Sequence, residues 1–546
     1  MLHLARILIV CFSSLSLAAF GFSGCSGSAT STGGTTSSGG TSSGSGTSGS
    51  SGGTGSGSTG SGSTGSGSSG SGSTGSGSGS SGSSGSSGTS SNTAFTSSFG
   101  TLSGSGGCDG KGNCYVYKGA SGSGSGVDWT NAYTGFGTNS GQIAPSGMQR
   151  GVIYWIAAGD YGSPTFSTPD SGTLGIEIEA ATDSANGAAS DWNSSYAGQA
   201  IFDSNTTIIT DHWAFNGQSR GSDWVSGYNI KFWNQAPNSD YAVGAQSSTG
   251  QYSNWAFDYV EIEGTNTVGS QYSDEGFSCY SVCNSIYIGN SWIHNTGSDN
   301  LSLNGPNGGG SGLILEYNWI SYNHSGLNST HSQCIQTTVS DFTARYNIWQ
   351  DCMSSGFITD ASAGSPQKSG WYIYGNIFFW DPAFASLSTS FVGDGIIGDF
   401  NTTPTGSYFV NNTIYGLSTN NTCNAFAWYT VPTDAVTENN LWEGTSACNP
   451  SNPPIGTWDY NAYFSGSNDP ADNSPHVQRS SASAFVTTLT STSSGSLLGF
   501  TQLTNDLKLL NNTNAGISLP SPYNMDMEGV TRGSGGVWSR GALQAP

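Results

Sequence analysis
The stretch Leu313-Ile-Leu-Glu-Tyr-Asn318-Trp-Ile320 decides the fold, because its frame returns down the chain. Phe342-Thr-Ala-Arg-Tyr-Asn347-Ile-Trp349, Trp371-Tyr-Ile-Tyr-Gly-Asn376-Ile-Phe378, Tyr408-Phe-Val-Asn-Asn412-Thr-Ile414 and Val436-Thr-Glu-Asn-Asn440-Leu-Trp442 repeat it. The asparagines are 29, 29, 36 and 28 residues apart. Upstream, Ile286-Tyr-Ile-Gly-Asn290-Ser-Trp-Ile293 continues the series, with either Asn290 or Ser291 in the asparagine slot, and Tyr460-Asn461-Ala-Tyr463 closes it downstream. Before each asparagine the apolar residues alternate with period two, as in Leu313-x-Leu315 and Phe342-x-Ala344, which is strand rather than helix. Gly, Asn, Ser and Asp between the strands form turns.

Strands that return at one fixed turn predict parallel coils, each stacked on the last at the interstrand distance of about 4.8 Å. Asn318, Asn347, Asn376, Asn412 and Asn440 then form a ladder in which each buried amide bonds to the next. Ile, Leu, Phe and Trp stack inward as one continuous core. A propeller blade needs four strands in about 40 residues or more, so this period disfavours it. The expected class is all-β, a right-handed parallel β-helix solenoid with a short N-terminal cap.

From Arg150 to Ala542 the pattern resembles the pectate-lyase-like superfamily. Gly126-Val-Asp-Trp-Thr-Asn-Ala132, then Arg150-Gly-Val-Ile-Tyr-Trp-Ile-Ala-Ala-Gly-Asp-Tyr161, is similar to that family's opening, where a capping helix leads into the first coils. Asp526-x-x-Gly529-x-x-Arg532, followed by Trp538-Ser-Arg-Gly-Ala542, resembles the closing segment of bacterial members. The resemblance implies a substrate groove along the stacked strands and polysaccharide cleavage by hydrolysis or elimination. A non-catalytic glycan-binding, adhesin or structural surface module is the alternative. The polygalacturonase and alginate-lyase signature sets are missing.

The 546 residues divide unevenly. Met1–Arg6 followed by the apolar run Ile7–Phe22 reads as an export signal ending Phe22-Ser-Gly-Cys25, so residues 1–25 resemble a lipoprotein signal peptide with Cys25 as lipid anchor. Ser26 after it resembles an outer-membrane sorting signal; plain secretion is the alternative. Residues 26–91 are Ser, Gly or Thr except Ala29, a composition that cannot offset its own ordering entropy and reads as a disordered tether over 26–92. Residues 93–150 are the cap region and 151–546 the β-helix domain. A net charge of −22 repels phosphate backbones, which excludes nucleic acid as a partner and suits cations or neutral glycans. The expected partners are a polysaccharide and, through lipid only, a membrane; the expected state is a monomer.

With Cys11 in the leader and Cys25 assigned to lipid, eight cysteines remain, an even number that suits disulfides in an exported chain. Sequence-adjacent pairing gives 108–114, 279–283, 334–352 and 423–448 among 105 possibilities.

Aligning the strands that precede each asparagine unit by their inward apolar residue places Phe277, Leu301, Ile335 and Phe357 in one column. Two residues earlier stand Glu275, Asp299, Gln333 and Ser355; four earlier stand Ser273, Gly297, His331 and Met353; three later stand Tyr280, Asn304, Thr338 and Asp360. Glu275 and Asp299 on adjacent coils can share a proton, hold a cation, or act as acid and nucleophile, and their repulsion raises one pKa. His331 is a candidate base. His331-Ser-Gln333-Cys-Ile-Gln336 resembles a His-x-Glu-x-Ile segment of β-helix enzymes with Gln333 in place of the Glu, leaving Gln333, Gln336 and Asp360 as candidate substrate contacts. Glu316, Arg345 and Tyr374 form an outward column in which Arg345 is either an elimination base or half of a surface ion pair with Glu316; Lys231 and Glu261 look similar, and His294 and His324 read as structural. Hard oxygen ligands for Ca2+ are abundant, without a defined calcium loop.

Overall fold
The computed structural model describes residues 93–235, 240–247, 249–265, 274–304, 310–323, 333–352, 357–360, 369–380, 396–399, 405–416, 426–428, 434–445, 456–465, 467, 472–487, 489 and 498–545. The signal segment with Cys25, the Ser/Gly/Thr tract, His331, His324, Cys423 and Cys448 lie outside them.

Each coil contributes one strand to each of three sheets. Val282–Gly289, Trp292–His294 and Leu301–Leu303 make one coil; Leu313–Glu316, Trp319–Asn323 and Ile335–Thr337 make the next. Among the described residues the sheets have 13, 12 and 9 strands, here called sheets 1, 2 and 3 in the order a coil visits them. Every strand pair in them is parallel, as in Leu315↔Ala344, Ile320↔Trp349 and Leu301↔Ile335. The chain is a right-handed parallel β-helix, the hand that parallel crossovers take.

The corner between sheets 1 and 2 carries the ladder. The backbone N–H and the Nδ2 of Asn347 both donate to Asn376 Oδ1, at 2.9 and 3.1 Å, and those of Asn318 both donate to Asn347 Oδ1, at 3.0 and 3.1 Å. The ladder runs on through Asn412 and Asn440 to Asn461, and at its upper end Ser291 N–H donates to Asn318 Oδ1 at 2.9 Å, so Ser291 holds the slot. The residue before each rung has a left-handed backbone: Asn290 (φ 49°), Tyr317 (55°), Tyr346 (57°), Gly375 (66°), Asn411 (57°) and Asn439 (58°). A tyrosine there is costly, and stacking of the Tyr317 and Tyr346 rings, 5.1 Å apart, offsets part of that cost.

Inside the coil, Phe215, Phe257 and Ile288 on sheet 1, Phe232 and Ile293 on sheet 2, and Val243 and Phe277 on sheet 3 belong to one fully buried core. A second core lies outside sheet 2. There Trp319, Ile348, Ile377 and Leu441 face outward and meet Leu503, Leu507 and Leu509 of the C-terminal segment, which includes helix Phe500–Asp506. This segment is clasped by Asp526, whose Oδ1 accepts the amide of Val530 (2.8 Å), and by buried Arg532, which donates to the carbonyls of Met525 (3.1 Å) and Ala542 (2.8 Å). The Asp-x-x-Gly-x-x-Arg motif is thus a structural closure.

The opening differs from expectation. Gly126–Ala132 forms turns and bends, not a capping helix; it opens on Gly126 in the left-handed region (φ 75°). The short helix lies earlier, at Thr93–Ser98, and its Phe95, with Phe99 just after it, packs on Ala214, Ala256 and Tyr287, outside sheet 1. Sheet 1 also begins before residue 151, with Lys111–Val116 parallel to Val152–Ile156.

Cysteines 108–114, 279–283 and 334–352 are disulfide-bonded, with Cα–Cα distances of 4.8, 6.5 and 5.4 Å. Closing an 18-residue separation, the third is expected to contribute about 3 kcal/mol. Peptide mapping without reductant should recover the 334–352 cross-link, and Cys334→Ala/Cys352→Ala should lower the urea midpoint accordingly.

Candidate active site at the corner of sheets 2 and 3
Strand Glu275–Cys279 opens with its carboxyl at this corner, and Asp299 precedes Leu301–Leu303 on the next coil. Gly276 N–H donates to the Asp299 carbonyl at 3.0 Å, and Gln333 N–H donates to Asp299 Oδ1 at 3.2 Å, so Glu275, Asp299 and Gln333 occupy successive rungs. The fold therefore brings together three of the residues that the column alignment singled out.

Burial pushes the Glu275 carboxyl up to about 7; Asp240 and Asp274 add to the rise, and the Ser278 and Ser302 hydroxyls oppose it. Its Oε2 is buried without a hydrogen bond. Asp299, 2% exposed, is pushed well above the carboxylate range by burial first and by the Glu275 charge second, with the Gln333 amide opposing. The Glu275 charge acts on Asp299, so ionisation of one carboxyl disfavours ionisation of the other. Asp274, one residue before Glu275, is fully buried and anchors the corner: its Oδ1 accepts Gly297 N–H (3.0 Å) and its Oδ2 accepts Thr265 N–H (2.9 Å). Nothing but adjacency to Glu275 marked it in the sequence.

The register corrects the alignment at its last member. Ile335 pairs with Ile358, not Phe357, because Phe357 sits at the bend before its strand. Asp360 consequently pairs with Thr337 rather than standing beside Thr338. Gln336 lies on the outer face of sheet 3, where its Oε1 accepts from Asn304 Nδ2 at 2.6 Å. Ser278, Ser302, Asn304 and Thr338 share that face; as small polar residues in a Ser-rich chain they carried no sequence signal.

Arg345 does not join this group. It lies outside sheet 1, where its Nε donates to Glu316 Oε2 at 2.6 Å and its Nη1 to the Tyr374 hydroxyl at 3.2 Å, while the Tyr287 hydroxyl donates to Glu316 Oε1 at 3.0 Å. The expected surface pair is in fact covered: the Glu316 side chain is 5% exposed and that of Arg345 27%. Burial alone would lower the guanidinium pKa, but the Glu316 carboxylate holds it above its usual value. Arg345→Ala should cost about 3 kcal/mol by leaving that buried carboxylate without its counter-charge, readable as a drop in thermal midpoint that Arg345→Lys only partly restores.

Outside sheet 2, Lys231 Nζ bridges Glu261 Oε1 (2.8 Å) and Glu263 Oε2, and His294 Nε2 lies 3.3 Å from Glu261 Oε1. Burial opposes ionisation of Glu261, yet the His294 hydrogen bond and the Lys231 ammonium hold it down to about 2. Ligand atoms of Glu261, Glu263 and His294 lie within 4.8 Å of one another, but the ammonium already supplies the positive charge there. A calcium ion takes about six to eight oxygens; at the corner the carboxyls of Glu275 and Asp299 are a partial set, with Asp299 Oδ1 already accepting an amide.

No family model matches the chain, and no curated protein does. Among solved structures it is similar to pectate lyase Pel9A, with 15% identity over 81% of this chain and 97% of that chain and a TM-score of 0.45. It is also similar to the PL6 family alginate lyase AlyGC, with 9% identity over 67% and 57% and a TM-score of 0.31, and to the Dettilon tailspike protein gp208, with 13% identity over 62% and 56% and a TM-score of 0.26. These are likenesses of fold alone.

Proposed function
We propose that this is a carbohydrate-active β-helix protein that cleaves a polysaccharide, as hydrolase or lyase, with Glu275 and Asp299 as the proton-handling pair. The observation that carries the reading is the juxtaposition of two carboxyls on successive rungs, one poised near 7, the range in which a side chain both gives and takes a proton at physiological pH. Gln333 positions Asp299, and Gln336 with Asn304 supplies donors and acceptors for sugar hydroxyls on the adjoining face. His331 remains the candidate base and Asp360 a candidate substrate contact. Export, and anchorage at the cell surface through Cys25, belong to the same proposal; globomycin should make the precursor accumulate, and an unchanged precursor level would leave plain secretion.

A second reading has its own support. Asp299 is 2% exposed, as a structural residue would be, and this favours a non-catalytic glycan-binding or spacer module. The two separate in one assay. The full chain is incubated with a panel of polysaccharides, and new reducing ends and the ultraviolet absorbance of unsaturated sugar ends are followed. Cleavage that Glu275→Gln abolishes supports the enzyme; glycan retention with no product in either variant supports the module.

A further inference from the structure
Three successive rungs of sheet 2 converge on one point outside the coil. Ile230–Trp233, Val260–Glu263 and Trp292–His294 pair in register, with Lys231 beside Glu261 and Glu263 beside His294. Phe232, Ile262 and Ile293 point into the core, so by alternation Lys231, Glu261, Glu263 and His294 project from the outer face. An amide holds one oxygen of each glutamate. Gln199 Nε2 donates to Glu261 Oε2 at 2.9 Å, and Asn295 Nδ2 donates to Glu263 Oε1 at 3.3 Å. The other two oxygens, Glu261 Oε1 and Glu263 Oε2, meet at the Lys231 ammonium, and Glu261 Oε1 also faces His294 Nε2 at 3.3 Å. The Trp292 ring stacks on the imidazole at 3.4 Å and 11° and fixes its plane.

Lysine completes this point poorly. It brings one positive charge to two carboxylates whose side chains are only 12% and 21% exposed, so one negative charge stays uncompensated where water is scarce. His294 is 2% exposed, and its Nδ1 is buried with no partner among the described residues. Two carboxylate oxygens and an imidazole nitrogen, lying within 4.8 Å of one another and backed by amides, are the mixed donor set of a first-row transition metal rather than of calcium. Bonds of about 2.0–2.2 Å to one ion require this set to close by on the order of 1 Å. A divalent ion would neutralise both carboxylates with the imidazole uncharged, and a fourth, tetrahedral position would take water. The lysine can yield its place, because its stem is flexible and its side chain, 13% exposed, reaches the rim beside Trp233, whose ring centre lies 4.8 Å from Nζ.

We propose that Glu261, Glu263 and His294 form a binding site for a divalent first-row metal such as Zn2+, and that the Lys231 ammonium is the exchangeable cation that takes the metal's place in its absence. The two glutamates stand on one rung and the histidine on the next, so the bound ion pins adjacent coils together from outside sheet 2. The proposal does not depend on cleavage at the Glu275–Asp299 corner. It also accounts for the pairing of a lysine with two carboxylates and a histidine: the ammonium keeps the carboxylates apart from each other's charge until the ion arrives.

The test treats the full chain with a chelator, removes the chelator, and titrates Zn2+ by calorimetry and Co2+ by visible absorbance. Expected are one equivalent per chain, a thermal midpoint raised by saturating Zn2+, and binding about 10-fold or more tighter in Lys231→Met, which removes the competing charge. His294→Ala should weaken binding by more than the about 10- to 100-fold that loss of an outer partner costs. His476→Ala, at the separate and more exposed His476–Asp459 pair, should leave it unchanged. X-ray absorption of the Co2+-loaded wild type should show one imidazole nitrogen among oxygens, a readout that stands even if His294→Ala does not fold. Absence of binding in both wild type and Lys231→Met overturns the site. So does binding that survives in folded His294→Ala or disappears in His476→Ala, an all-oxygen shell around Co2+, or equal affinity in wild type and Lys231→Met.

Discussion

Asn347→Ala is expected to destabilise the β-helix by about 4 kcal/mol, seen as a lower urea midpoint with an unchanged slope. The side chain is fully buried, and four polar groups depend on it. Its Oδ1 accepts both the backbone N–H and the Nδ2 of Asn318, and its Nδ2 donates to the Leu315 carbonyl (2.9 Å) and to Asn376 Oδ1 (3.1 Å). Alanine removes the partner without removing the need, and each orphaned group costs about 1–3 kcal/mol where no water can replace it. Asn347→Asp should be nearly as harmful, since it keeps the acceptor, loses both donated bonds and adds a buried charge. Asn139, exposed and away from any rung, is the contrast: its replacement by alanine should stay within about 0.5 kcal/mol.

Glu275→Gln is expected to abolish glycan cleavage, by about 100- to 10,000-fold, while leaving the folded state at pH 8 no less stable. The sign follows from the pKa. Folding raises the Glu275 carboxyl from 4.5 to about 7, so the folded state holds its proton more tightly than the unfolded chain does. The stability this lends is fully present below about 4.5 and is lost as the pH rises through about 7. The gap corresponds to about 3 kcal/mol, shared with Asp299, whose carboxyl moves in the same direction. Glutamine cannot ionise, so the variant should lose this decline. Asp299→Asn should flatten it as well, because the Asp299 carboxyl is itself raised on folding, by burial first and by the Glu275 charge second.

Much of this architecture is legible in the repeat. Asparagines 29 residues apart, each preceded by period-two apolar residues, can stack only if the coils are parallel and in register. The same vertical logic put Glu275 beside Asp299 and Glu316 beside Arg345, 29 residues apart like their ladder neighbours. It failed where spacing varies: the Phe357 slip arises because a coil's third strand follows a bend of variable length, so an apolar residue at the bend mimics the first strand residue. It also failed for coverage. Ile348-Trp349 and Ile377-Phe378-Phe379 are apolar on both faces because the C-terminal segment lies over sheet 2, and nothing local distinguishes such a strand from one buried by its own coil. The burial of the Glu316–Arg345 pair is a tertiary effect of the same kind. The line of small polar residues in sheet 3 was hidden for a different reason: Ser and Gly residues resemble those of every turn, and only the pairing sets Gly244, Ser278 and Ser302 in register.

The central claim is that carboxyls 24 positions apart in sequence stand on adjacent rungs and titrate as a coupled pair. Its most direct measurement is a double-mutant cycle of unfolding free energy against pH for the wild type, Glu275→Gln, Asp299→Asn and the double variant. The account predicts that wild-type stability falls as the pH rises between about 4.5 and 7. Each single variant should remove more than half of that fall, and the two effects should be strongly non-additive in the double variant. A flat wild-type profile, or single-variant effects that simply add, would place the two carboxyls apart and contradict it.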